Sequence, residues 1–297
     1  PIIRLIGKPA CHHRVGGQAP TCRMVLPDVL SQFWGGLAMF GDGDAFTLYA
    51  VPQSSSPLLF NSPHSGAVYP DAFLRMVALD AYSLRRSEDM AVDHLFMPVL
   101  EQGHSLLAAH FPRAYVDVNR EPYELDARMF EGELPAYANT RSLRVAAGLG
   151  TIARVVADGE EIYARRWPVA EALARIDSLY HPYHEALADT LMGLKRQFGL
   201  AVLVDCHSMP SFSTQEQGRR ADIVLGDRFG TSCDPLLCEV IETQLTAAGY
   251  RVRRNKPFAG GFITEHYGRP QQGLHAVQIE ISRALYMDCL LYTSDAA

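Results

Sequence analysis

Leu200-Ala201-Val202-Leu203-Val204-Asp205-Cys206-His207-Ser208 is an unbroken aliphatic run that ends in polar residues. Such a run fits a strand buried on both faces, as in a parallel or mixed sheet covered by helices. Before it, Glu161 to Phe198 reads as one or two long helices, and Pro182 suits the first turn of the second, where its missing N–H costs nothing. After it come a short strand at Ile223–Gly226, a helix from Pro235 to Ala248 with Gly249 placed as a C-cap, and late strands at Tyr250–Arg254 and Ala276–Ile281. Upstream, Leu58–Asn61 reads as a strand running into the turn-rich Ser62-Pro63-His64-Ser65-Gly66. Ser83 to Leu100 has helical spacing, and Ser105–Ala109 and Ala114–Val118 read as further strands. Helices and strands that alternate in this way argue for an α/β sheet with helices on both faces.

Composition narrows the function. The chain has 297 residues, 48% hydrophobic and 20% charged, which is ordinary for a globular protein. Lysine and arginine total 27 against 33 aspartates and glutamates, a net charge of −6. That balance speaks against sequence-independent nucleic-acid binding, which needs phosphate-neutralising cations. An anionic substrate would need a locally cationic pocket. Met24 to Phe40, the most apolar early stretch, is broken by Pro27, Asp28 and Gln32 and is too short and polar to span a bilayer. No basic region leads into an apolar one as in a secretory signal. The scattered Cys11, Cys22, Cys206, Cys233, Cys238 and Cys289 form no disulfide framework, so a reducing cytoplasm is expected. Residues 1–45 lack any clear period and read as an irregular leader, with Cys11, His12, His13 and Cys22 spaced like no known zinc finger. A single hydrolytic domain is expected over 46–287, and 288–297 reads as an extraneous tail.

Polar residues follow three of the strands: His64, the pair Asn119-Arg120, and His207. Ligands of open α/β sheets bind beyond the carboxyl ends of strands. Asp205 and His207, two apart, share a strand face, while Cys206 points to the other and reads as a small buried hydrophobe, not a nucleophile. Glu88 and Asp89, near a helix start, serve either the helix dipole or a metal. His181 and His184 are three apart without the H-E-x-x-H pattern, so His184 reads as a packing residue. In the alternating Val277–Ile281, Glu280 faces water if the strand lies at an edge and is a candidate base if it is interior. Gly103-His104-Ser105-Leu106-Leu107 lacks the final glycine of a nucleophile elbow, which disfavours a metal-free serine hydrolase.

Taken in order, these segments resemble the N-formylglutamate amidohydrolase family, from about Phe46 to Met287. The matching pieces are Ser62–Gly66, Glu88-Asp89 with Asp93 and Leu95, Arg113 with Asp117–Arg120, Tyr180–His184, Asp205–Ser208, Gly260–Thr264 with His266–Gly268, and His275–Glu280. The resemblance implies the fold of the zinc carboxypeptidases and aspartoacylases: three layers, with a mixed sheet of roughly eight strands between helices. It implies Zn2+ held by His64, His207 and a carboxylate, Asp89 preferred over Glu88. The peptidase H-x-x-E pattern is absent, since Ala67 lies three residues after His64. Glu280 is implied as the general base and Arg113 as the oxyanion partner. Asn119 and Arg120 are implied to bind a substrate carboxylate, with the loop Lys256–Arg269, including Lys256, Gly260 and Gly261, closing over the substrate. The implied reaction is hydrolysis of N-formyl-L-glutamate to glutamate and formate, the final step of one histidine-degradation route. The alternatives are another N-acyl amino acid or a cell-wall amide as substrate, or a non-catalytic member that binds an acidic ligand. Family members continue with a helical segment after the strand of Glu280, whereas Cys289–Ala297 does not resemble it. Exposing two large side chains there would cost roughly 3–6 kcal/mol, so the chain as written is expected to be poorly stable.

Overall fold

The computed structural model describes residues 45–51, 54–156, 159–210 and 220–287. The expected leader with Cys11, His12, His13 and Cys22, and the tail with Cys289, lie outside the described residues. Seven strands form one mixed sheet: β1 (Phe46–Tyr49), β2 (Leu58–Ser62), β3 (Ser105–Ala109), β6 (Ala201–Met209), β7 (Ile223–Gly226), β8 (Val252–Arg254) and β9 (Leu274–Ser282). The short β4 (Phe130–Glu131) and β5 (Trp167–Pro168) pair apart from it. The sheet order is β1-β3-β2-β6-β9-β7-β8. β2, β3, β6 and β9 run parallel, while β1 is antiparallel to β3 and β7 to β9. This is the expected three-layer α/β arrangement, with seven strands among the described residues where roughly eight were implied.

From Ala201 onward the aliphatic run sits at the centre as β6, between β2 and β9, and every residue of β6 is buried. Its alternate residues supply two cores. Ala201 and Leu203 join Leu59, Leu107 and Ala276 beneath the helix His181–Phe198, which contributes Tyr183, Leu187, Leu191 and Leu194. Val204 and Cys206 join Phe60, Leu106, Val277 and Ile279 on the other face, under Val92 and Phe96 and the Cys238 and Leu245 side of the helix Pro235–Ala247. Cys206 is thus a buried apolar filler, as its place opposite His207 required. Each large aliphatic side chain removed from water contributes about 1.5–3 kcal/mol, so two apolar layers hold the central strands rigidly where they end.

Three segments depart from the sequence reading. Ser83–Leu100 is not one helix: Ala81–Arg85 and Val92–Phe96 are helical, and between them the chain turns through Ala91 at φ 59°. The backbone N–H of Asp89 donates to the carbonyl of His64 at 3.0 Å, drawing the two carboxylates in to the end of β2. Ala114–Val118 is a series of turns, with Asp117 N–H bonded to the Thr151 carbonyl, although its apolar residues are buried like those of a strand. The expected loop Lys256–Arg269 contains the helix Phe262–Tyr267. Among the described residues, no helix is long and apolar enough to cross a membrane.

Candidate active site

The parallel strands end side by side, and register sets which residues meet there. His207 of β6 lies opposite Glu280 of β9, and Asp205 opposite Gln278. β9 is interior, so Glu280 faces no open solvent and is 6% exposed. The turn after β2 adds His64, and the break between the two short helices adds Asp89. Side chains from all of these line one cavity of about 630 Å³, together with Arg86, Arg113, Asp117, Asn119, Arg120 and Arg283. That volume suits a small-molecule ligand.

His64, Asp89 and His207 bring one ligand atom each to within 4.8 Å of one another, all three buried. Asp89 Oδ2 is 2.9 Å from His207 Nδ1 and 3.5 Å from His64 Nδ1. The outward nitrogens are anchored by carboxylates. His64 Nε2 donates to Asp117 Oδ1 at 2.7 Å, and His207 Nε2 donates to Asp205 Oδ2 at 3.0 Å. Asp205 is itself fixed: Asn61 Nδ2 donates to its Oδ1 at 2.7 Å, and Tyr183 Oη donates to Asn61 Oδ1 at 2.5 Å. A histidine whose outer N–H is bound to a carboxylate presents a bare inner nitrogen, the arrangement that orients metal-ligating imidazoles. Glu88 does not join this group. Its carboxylate takes hydrogen bonds from Tyr69 at 2.5 Å and Arg85 at 3.1 Å.

The residues fit a divalent cation. His64 Nδ1 is buried without a hydrogen-bond partner. With protons on both outer nitrogens, two imidazole lone pairs and a carboxylate oxygen face one another with no donor between them. A buried unsatisfied polar group costs about 1–3 kcal/mol, and a cation satisfies all three at once. Nitrogen and carboxylate donors of this kind suit zinc. Without a cation the conflict is relieved by protonation. Burial disfavours the imidazolium of His207, but Asp205 and Asp89 outweigh burial and hold its pKa well above the usual value. Burial also opposes ionisation of Asp89 and Asp117, and the histidines, with Arg120 and Arg113 for Asp117, override it and keep both pKa values low.

Glu280 differs. Burial foremost, with Asp89 adding to it, pushes its pKa up to about 8 against the pull of His207 and Arg113. Gln278 Nε2 donates to Glu280 Oε1 at 2.7 Å, and Gln278 Oε1 accepts from the Gly261 N–H at 2.8 Å. One amide thus ties Glu280 to the segment that walls the cavity. Arg113 Nη2 donates to Asp117 Oδ2 at 2.8 Å. Asn119 is spent on structure: its Oδ1 accepts from the Ile263 N–H at 2.8 Å, and a Cβ on Gly261 would lie 2.4 Å from its amide. Arg120 donates through Nε to the Leu149 carbonyl and through Nη1 to the Asn119 carbonyl. Gly260 and Gly261 line the cavity, but Lys256 is exposed and does not. His184 bonds Val118 and Tyr267, and burial pushes its pKa down to about 4, as suits a packing residue. The sequence reading gave no role to Asp117, Gln278, Ser208 or Arg283. Asp117, two residues before Asn119 and four after Arg113, and Gln278, two residues before Glu280 on the same strand face, carried a local signal.

Known proteins resemble this chain over most of its length. Residues 56–287 match the family described as N-formylglutamate amidohydrolase. The chain is 36% identical over 236 residues to an N-formylglutamate deformylase of Pseudomonas aeruginosa, covering 78% of this chain and 82% of that protein. It is 32% identical over 240 residues to one of Pseudomonas putida, covering 80% and 84%. Its fold matches the crystal structure of an N-formylglutamate amidohydrolase from Ralstonia eutropha JMP134 with a TM-score of 0.78 and 38% identity, covering 84% of this chain and 90% of that one.

Proposed function

The chain belongs to the N-formylglutamate amidohydrolase family, and from that premise we propose that it is a zinc-dependent deformylase that hydrolyses N-formyl-L-glutamate to L-glutamate and formate. The observation that carries the metal is the buried, partnerless Nδ1 of His64 turned toward Asp89 beside His207. These three residues would hold the ion. Bound there, a divalent cation supplies a water of lowered pKa and polarises the carbonyl it faces.

The chain's own groups do the rest. Glu280 takes the proton of the attacking water as its oxygen bonds the formyl carbon, then gives that proton to the amine nitrogen as the C–N bond breaks. Its raised pKa suits the second, proton-giving half of that task, and a bound cation would favour the ionised form that the first half needs. Arg113, braced by Asp117, donates to the oxygen that gains negative charge. Arg120 supplies positive charge for a substrate carboxylate, with part of its fork already occupied by the Leu149 and Asn119 carbonyls. Asn119 and the Gly260-Gly261 pair shape the wall beside it. The reaction would complete a route of histidine degradation in the cytoplasm, where the buried free thiols of Cys206, Cys233 and Cys238 stay reduced.

The test is formate release from N-formyl-L-glutamate by zinc-loaded protein, repeated after chelation. Release that stops on chelation and returns with zinc is expected. Release unchanged by thorough chelation overturns the metal reading. No release from folded, zinc-loaded protein overturns the substrate.

A further inference from the structure

The site holds a buried cation that the chemistry above does not use. Arg283 follows the end of β9, is 3% exposed, and meets three elements at once. Its Nη2 donates to the Glu88 carbonyl at 2.5 Å and lies 3.7 Å from Asp89 Oδ1, and its Nε donates to Ser208 Oγ at 3.2 Å. Ser208 Oγ in turn donates to Asp89 Oδ1 at 3.3 Å.

A serine hydroxyl has one proton. Because Arg283 Nε–H points at the Ser208 oxygen, that proton is free to turn toward Asp89. The two oxygens of Asp89 therefore have different partners. Oδ1 takes the Ser208 proton and the Arg283 charge, and Oδ2 faces His64 and His207. A buried guanidinium is costly unless paired and hydrogen-bonded, and here Asp89, the Glu88 carbonyl and Ser208 are among its partners.

We propose that Arg283 and Ser208 are positioning residues that select Oδ2 of Asp89 as the metal-ligating oxygen and so set the affinity for zinc. This rests on the metal reading above. Both act here through Asp89. Groups that orient a ligand in this way typically change metal affinity by about 10–100-fold when removed.

The experiment measures zinc affinity by competition with a chelator of known affinity, using the parent, Ser208→Ala and Arg283→Lys proteins, and follows the visible spectrum of each after Co2+ loading. Ser208→Ala removes one hydroxyl without removing the buried charge, so it keeps the test open if Arg283→Lys does not fold. Zinc binding weakened about tenfold by Ser208→Ala and about 10–100-fold by Arg283→Lys, with an altered Co2+ spectrum, is expected. Folded variants that bind zinc within threefold of the parent, with an unchanged spectrum, overturn the inference alone. A parent that binds no zinc overturns the metal reading beneath it.

Discussion

Replacing Glu280 with glutamine tests burial and chemistry together. Burial raises this carboxyl from 4.5 to about 8. A carboxyl whose folded pKa exceeds its unfolded value disfavours the folded state once it ionises. The penalty is absent below the unfolded pKa, grows through the interval, and is complete above the folded pKa. At about 1.4 kcal/mol per unit, the rise corresponds to about 5 kcal/mol. This is a ceiling, because Gln278 and Arg113 remain to meet the charge and water entering the cavity softens it. Glutamine keeps the shape and cannot ionise. Urea unfolding of metal-free parent and Glu280→Gln proteins, at about pH 5, 6.5 and 8.5, should show the variant gaining on the parent by about 2–5 kcal/mol across that range. His207 also loses stabilisation as pH rises, since its folded pKa is raised, and it does so in both proteins. The same variant should lose about 10²–10⁴-fold in kcat/KM for formate release. A stability difference that stays flat with pH refutes the burial argument, and turnover within tenfold of the parent refutes the assignment of the base.

Arg113→Lys, which keeps the charge and loses the planar fork, should lower kcat about 10²–10³-fold with little change in KM, measured by steady-state formate release. Asp205→Asn replaces the charged acceptor of the His207 outer nitrogen with a neutral amide whose single oxygen must serve either His207 or Asn61, so zinc affinity should fall about 10–100-fold in chelator competition while the fold persists. Zinc uptake near neutral pH should release protons, because His207 and Glu280 are both held protonated in the metal-free protein. Calorimetry in buffers of different ionisation enthalpy should count fewer protons for Glu280→Gln than for the parent. Gly261→Ala forces a methyl against Asn119 and should cost about 1–3 kcal/mol of stability by urea unfolding.

The central strand was readable because Leu200–Val204 leaves no polar face, and a strand with no polar face must be interior. The shared face of Asp205 and His207 followed from strand geometry alone. Glu280 was ambiguous for a physical reason: alternation tells which residues share a face but not whether another strand covers the edge. The two short helices around Asp89 were misread as one because the apolar spacing persists across the break, while the force that bends the chain, a hydrogen bond to the His64 carbonyl, comes from a distant strand end. Arg283 shows the same limit more sharply. Its partner at Glu88 is 195 residues away, and nothing within a local window signals a buried guanidinium. Lys256, implied as part of a loop that closes over the substrate, stands exposed outside the cavity.

Charge accounts for how an acidic chain would accept the proposed dianionic substrate. Arg86, Arg113, Arg120 and Arg283 line the cavity, and Asp89, Asp117, Asp205 and Glu280 line it or lie directly behind it. With His207 protonated and Glu280 neutral in the metal-free protein, the four guanidiniums and one imidazolium outweigh the three aspartates by two charges. A divalent cation between His64, Asp89 and His207 would take the place of the two protons on His207 and Glu280, so the balance would stay equal and opposite to a substrate with two carboxylates. The metal would therefore keep the field that attracts the substrate while leaving Glu280 ionised to take a proton. Substrate affinity measured for a Glu280→Gln protein, in which turnover is suppressed, should accordingly weaken with rising ionic strength. Binding of N-formylglutamate that is unchanged by salt would refute this electrostatic account.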